Sequence, residues 1–347
     1  DFDQRWGWIK SGEGELPPNV LWSNCFTPEA YDKLKRHHAA LSFWEDAQAD
    51  GLTLDKTHYH FHPAVFVEVF RKCGWLSESE LTQLLPMSAM RPSGHGWVSE
   101  PVTLTDRRKK VIKENRVELN NALRKFGISS TPLRMAAFFG NATQETQWFD
   151  KLYEGNTTAW YQPWDGRGLL QLTLPDNYIK YWRFRGRTIS QALKTALNAA
   201  AVKARSERKS DALQDARHPE LTAEIIQWRG QVSDGQYDPT QSAGAYWAWT
   251  GAARFADESP VMQREIQIVS NVVHVYYRCE SFGQVAATVN FGSPQKDTRN
   301  IAKVNGIVAR YQAYANALVV LMDDTVIFPY TEGFTATVPE GFERRKP

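Results

Sequence analysis

A mainly α protein is what this sequence predicts, and three observations lead there. Helical patterning dominates, above all in the last third of the chain. Several segments open on Ser or Thr caps or on Pro at the first helical position, and close on Gly. No internal repeat or low-complexity tract interrupts them. The chain has 347 residues, 42% hydrophobic and 23% charged, which suits a soluble globular protein of one large or two moderate domains.

In chain order, "FTPEAYDKLKRHHAALSFWEDA" starts a helix, with Thr27 as cap, Pro28 at the first helical position and Glu29 near its positive end. "HFHPAVFVEVFRKCGWLSESELTQLL" reads as two helices broken at Gly74, the second capped by Ser77 or Ser79. Residues 86–104 are rich in Pro, Gly and Ser and read as a linker. That divides the chain into an accessory region and linker (1–104), a main domain (105–325) and an irregular tail (326–347). The main domain opens with a helix from Asp106, stopped by Gly127, and a second helix starting near Pro132. Residues 155–178 read as loop and turn, and 184–237 as charged helices with a surface excursion. "SAGAYWAWTGAARFADE", "REIQIVSNVVHVYYRCE" and "NIAKVNGIVARYQAYANALVVLMD" read as long and mostly helical.

Net charge is +2, no strong pointer to nucleic acid. Cys25, Cys73 and Cys279 are too few and too far apart for a disulfide framework or zinc ribbon. Buried thiols are expected, with a Cys25–Cys73 bridge as the alternative. His58, His60 and His62 alternate in "HYHFH", yet no Cys or HExxH pattern supports a metal, so none is expected. No Walker A or GxGxxG pattern indicates a nucleotide, and no cofactor is expected. "RRKK" at 107–110 and "RFRGR" at 183–187 read as solvated faces, the second with contact to an anionic polymer as an alternative. "ALVVLM" is too short to span a bilayer, so no stable membrane insertion is expected. The chain opens "DFDQRWGWIK", without Met or a signal peptide. It reads as a processed form or a part of a longer protein.

Two carboxylates stand out in "TQETQWFDKLYEG". On a helix at about 100° per residue, Phe138, Ala142 and Phe149 fall within about 60° of Glu145. A carboxyl on such an apolar stripe is partly desolvated and keeps its proton, as a general acid needs. A Glu at the stripe's edge, paired with a nearby Arg, fits equally well. Glu154 lies half a net turn further round a continuous helix, roughly 13 Å along it. The two cooperate only if the helix ends between them, and Gly155 with "NTTAW" says that it does.

The next segment, "GRGLLQLTLPDNY", resembles the GRG-(apolar)₂-Q-(apolar)-(S/T)-x₃-NY signature of glycoside hydrolase family 19 and its endolysin relatives. "LNNALRKFGISSTPLRMAAFFGNATQET", "SAGAYWAWTGAARFAD" and "ATVNFGS…NGIVARYQAY" resemble further segments of that family, in the right order, over about residues 105–325. Two departures are plain: Gln144 stands where the family has His, and Phe291 replaces one Gly of its "INGG" element. The resemblance implies a lysozyme-like fold and cleavage of β-1,4 bonds in an N-acetylated glycan, with peptidoglycan favoured over chitin. It makes Glu145 the general acid and Glu154 the base that holds the attacking water. An inverting pair needs its carboxyls about 6.5–9.5 Å apart. Thr173 matches the residue that positions the water, and Gln171 and Asn290 match residues lining the sugar groove. Arg167 is expected to fix the loop and pair with a carboxylate. Tyr161 and Trp164 either stack on sugar or pack in the core.

The N-terminal stretch resembles what precedes such domains in type VI secretion effectors. That resemblance implies export to a target cell's periplasm or wall as an antibacterial toxin. Its partners would be peptidoglycan strands, an immunity protein and the secretion apparatus, with no nucleic acid, and the protein would be a monomer. The alternatives are a lytic transglycosylase, a chitinase, and a glycan-binding module without activity.

Overall fold

The computed structural model describes residues 2–12, 16, 25–41, 74–94, 96–322 and 325–345. The chain falls into two compact units, Asp1–Phe66 and Val67–Pro347. In the first, helices α1 (Phe2–Trp6) and α2 (Pro28–Leu41) are described. Thr27 Oγ1 accepts the Ala30 N–H, so the predicted cap closes α2. His58, His60, His62 and Cys73 lie outside the described residues, and so do the metal and disulfide readings that rest on them.

The second unit opens with α3 (Glu78–Gln83). Ser77 caps it, and Glu80 returns a hydrogen bond to the Ser77 N–H in a capping box. The segment expected as a linker instead forms an antiparallel hairpin, β1 (Ser88–Ser93) with β2 (Gly96–Pro101). Its Gly and Pro residues mark a turn rather than a boundary, because Ala89 and Met90 are buried and anchor β1. The division of the chain therefore falls well before residue 86.

Helix α4 (Asp106–Lys125) is capped by Thr105 and stopped at Gly127, whose φ is 66°. Helix α5 (Pro132–Glu145) has Thr131 as cap and Pro132 in its first turn, where a missing N–H costs nothing. Met135–Thr143 is buried throughout, so α5 runs through the core. Helices α6 (Pro175–Phe184), α7 (Gln191–Glu207), α8 (Ala223–Asp234), α9 (Asp238–Thr250) and the short α10 (Ala253–Ala256) follow.

Residues 262–279, expected as mostly helical, form a second hairpin instead, β3 (Met262–Val269) with β4 (Val272–Cys279). The β-branched run on each side favours extended backbone, and Ser270 and Asn271 both take positive φ in the two-residue turn. Helices α11 (Glu280–Phe291) and α12 (Ile307–Leu321) complete the helical set, and α12 packs along α5. The tail is tied down by β5 (Phe328–Pro329) pairing with β6 (Thr335–Ala336). It is also held by the buried Arg345, whose guanidinium donates to the Leu85, Pro86 and Val102 carbonyls. The unit is mainly α, with small antiparallel hairpins at its margin. No described helix is long and apolar enough to cross a membrane.

Candidate active site

Glu145 is the last residue of α5, and its side chain is 20% exposed. Phe138 and Ala142 are buried on the same stripe, as the helical spacing requires. The chain then leaves the helix at once. Gln147, Trp148 and Phe149 have φ of 50°, 67° and 60°, three consecutive left-handed residues at about 1–2 kcal/mol each. Thr146 holds this turn: its hydroxyl donates to the Ala142 carbonyl at 2.7 Å and accepts the Phe149 N–H at 3.0 Å. Backbone strain of this kind gathers where a site needs a fixed geometry.

The partner of Glu145 is Arg310 of α12, only 2% exposed. Arg310 Nη2 donates to Glu145 Oε1 at 2.7 Å, Nη1 to Asn141 Oδ1 at 2.8 Å and Nε to the Asn305 carbonyl at 3.0 Å. The Arg-paired reading of Glu145 is thus the one the geometry realises. One carboxyl oxygen is held, and Oε2 has no hydrogen bond among the described residues. Tyr246 of α9 lies within range of the same charge: burial, then the Glu145 carboxylate, push its phenol up.

Glu154 sits on the loop beyond the helix, inside a miniature antiparallel arrangement. Tyr153 bridges Arg167, and Arg167 bridges Leu172. The Glu154 N–H donates to the Gly166 carbonyl at 2.8 Å, and the Gly166 N–H returns to Glu154 Oε2 at 2.9 Å. Oε1 accepts from the Tyr161 hydroxyl at 2.7 Å. Two donors on a carboxylate leave further lone pairs unspent. Burial, then the neighbouring Glu154, push the Tyr161 phenol up, so it stays a proton donor to Glu154.

The GRG turn explains this geometry. A Cβ on Gly166 would lie 2.6 Å from Gln171 Oε1 and 3.2 Å from Glu154 Oε2. Gln171 therefore belongs beside the second carboxylate, with its Nε2 donating to the Gly168 carbonyl at 2.9 Å. The Thr173 hydroxyl donates to the Gln171 carbonyl at 2.7 Å. Arg167 pins the loop from within: Nη1 donates to the Pro163 carbonyl at 3.1 Å and lies 3.2 Å from Asp165 Oδ1. Its guanidinium carbon sits 4.5 Å from the centre of the Tyr153 ring. Of the two aromatic candidates, Tyr161 reaches the site. Trp164 does not: it is 0% exposed and packs against Tyr178 and Trp182, so it has no face to offer a sugar. In "RFRGR", Arg185 and Arg187 both pair with buried Asp238, which removes them from any anion-binding face.

Helix α9 connects the two halves. A Cβ on Gly168 would lie 2.8 Å from the Pro239 carbonyl oxygen and from Ser242 Oγ, so the turn rests directly on the helix start. Tyr246 follows Ser242 by one turn, about 6 Å along the axis, and is the residue that feels Glu145. Its hydroxyl donates to the Val289 carbonyl at 2.9 Å, which ties α9 to the end of α11, where Asn290 is exposed.

Three residues here escaped sequence reasoning. Arg310 carried a readable signal, being the one charged residue of a 15-residue apolar helix; a buried cation must have a partner. Asp165, 0% exposed with Oδ2 accepting the Gly155 N–H at 3.2 Å, and Tyr246 carried none. In comparisons with protein-family models, curated proteins and solved structures, nothing matches this chain. Among the described residues no cluster of metal-ligating side chains occurs.

Proposed function

We infer that this protein is a lysozyme-type peptidoglycan hydrolase with a lysozyme-like catalytic domain. It would cleave the β-1,4 bond between MurNAc and GlcNAc and act as an exported antibacterial effector in the target cell's wall. The observation that carries this reading is the unequal dress of the two carboxylates. Glu154 receives two hydrogen bonds, from Tyr161 and Gly166, which orient it and leave lone pairs free to accept from a water, as a base must. Glu145 is oriented through Oε1 by Arg310, and the acid role assigns its Oε2 as the atom that would face the leaving sugar oxygen. In an inverting reaction Glu154 takes a proton from water as that water attacks the anomeric carbon. Glu145 protonates the departing oxygen on the opposite face. Gln171, beside Glu154, would line the water's approach, with the Thr173 hydroxyl held on its carbonyl. The likeness of residues 105–325 to glycoside hydrolase family 19 supports the same roles.

A lytic transglycosylase is the second reading, favoured by one specific fact: both oxygens of Glu154 already have partners within the chain. Such an enzyme needs Glu145 alone. Mass spectrometry of fragments released from purified peptidoglycan separates the two. Hydrated reducing ends from the wild type, absent with Glu145→Gln and with Glu154→Gln, are the expected result. Anhydro ends that persist in Glu154→Gln would establish the transglycosylase. Reducing-end GlcNAc would move the cut to the other bond. No release by the wild type, with sacculi still bound, would leave a glycan-binding module.

A further inference from the structure

Helix α12 carries Arg310 toward Glu145 on one face. Gln312, Ala315 and Asn316 lie roughly 140–240° around the helix from it. They wall an open pocket of about 330 Å³, lined elsewhere by β4, residues 86–88 and residues 339–343. That is the size of a small-molecule site.

Two amide side chains in this wall are fixed by backbone. Gln312 Oε1 accepts the Met90 N–H at 2.7 Å, and Asn316 Nδ2 donates to the Gln83 carbonyl at 2.8 Å. Each bond locks its amide in one orientation and spends one half of it. Gln312 keeps its NH₂ as a donor and Asn316 keeps Oδ1 as an acceptor. The two stand one helical turn apart, about 6 Å along the axis. A donor and an acceptor so placed match the C=O and N–H of an amide. The lining also holds two carboxylates. Glu340 is bound by Arg264 at 2.8 Å, whereas Glu343 has no partner among the described residues. Val273, Val275 and Phe342 supply apolar wall.

We propose that this pocket binds a short peptide with a free primary amine. The Gln312–Asn316 pair reads a peptide bond, Glu343 holds the ammonium, and the apolar wall takes an alkyl side chain. An N-acetylated sugar shares the amide but lacks the amine, so the unpaired carboxylate selects the peptide. This assignment does not rest on the hydrolase reading, and binding is measurable without any catalysis.

Calorimetric titration of the full chain with trialanine, with N-acetyl-trialanine and with GlcNAc tests it. Trialanine is expected to bind saturably, about fivefold more tightly than its acetylated form, as one exposed ion pair allows. In Glu343→Gln, isosteric and at the surface, the two peptides should bind alike. Gln312→Glu keeps the acceptor for Met90 but turns the free donor into an acceptor. It should weaken N-acetyl-trialanine about tenfold, the worth of one hydrogen bond with its penalty. Absence of saturable trialanine binding, equal affinity of the two peptides for the wild type, or GlcNAc binding as tightly would each overturn the proposal.

Discussion

Arg310 satisfies three acceptors from inside an apolar helix, and its removal would strand both Glu145 and Asn141. Breaking a buried ion pair from one side costs about 3–5 kcal/mol. Arg310→Leu is expected to lower stability by that amount in urea unfolding, while Arg310→Lys, which keeps the charge but cannot fork, falls between. Tyr161→Phe makes a different prediction. It removes one hydrogen bond to a charged acceptor, about 1.5–3 kcal/mol at most, on a half-buried loop. On the hydrolase reading the loss appears in the rate: kcat on soluble peptidoglycan fragments should fall about tenfold with KM little changed. An unchanged kcat would mean that Tyr161 serves only the loop.

At the scale of elements, the GRG turn is tied to α9 through a residue with no side chain. Gly168 has φ 77° and faces the Pro239 carbonyl. Gly168→Ala adds both left-handed strain and a clash with fixed backbone, about 2–3 kcal/mol together. Thermal unfolding should register it, and on the hydrolase reading the rate should fall further than stability explains, because Glu154 hangs from the same turn. The capped helices were legible because their signals are local: Thr27, Ser77, Thr105 and Thr131 each close a first turn within three residues. The two hairpins were not. Gly and Pro around residues 86–104 look alike in a linker and in a turn. In 262–279 the β-branched run is read correctly only when its two halves pair. What was legible of Glu145 and Glu154 was their placing, the first at the end of α5 and the second on the loop beyond it. Their fixings were less so, since Arg310 lies 165 residues from Glu145 and Tyr246 reaches it only through the packing of α9.

At the scale of the whole molecule, burial raises the phenols of Tyr161, Tyr178, Tyr181, Tyr246, Tyr311 and Tyr314 above their ordinary value. A raised folded-state value means that the fold favours the protonated form. This stabilisation is complete below the unfolded value, about 10, and is lost as pH rises through and beyond it. Unfolding free energy should therefore be flat from neutrality to about pH 9 and fall steeply above about pH 10. The share of tyrosinate absorbance that these six of the thirteen tyrosines contribute should rise together with loss of helix rather than before it. More than seven of the thirteen tyrosines ionising in a fully helical protein would show that these rings reach solvent without unfolding.

Arg345 has a consequence in time as well as in space. Its hydrogen bonds to the Leu85, Pro86 and Val102 carbonyls join positions up to 260 residues apart. Contacts of such separation form late, and domains assemble as their segments emerge from the ribosome. The carbonyls at the foot of the first hairpin must wait, hydrated, through the synthesis of the 243 to 260 residues that bring Arg345 to them. The finished unit is therefore out of reach of any nascent chain that has not yet passed Arg345. A cell making it holds no completed copy until translation has passed Arg345.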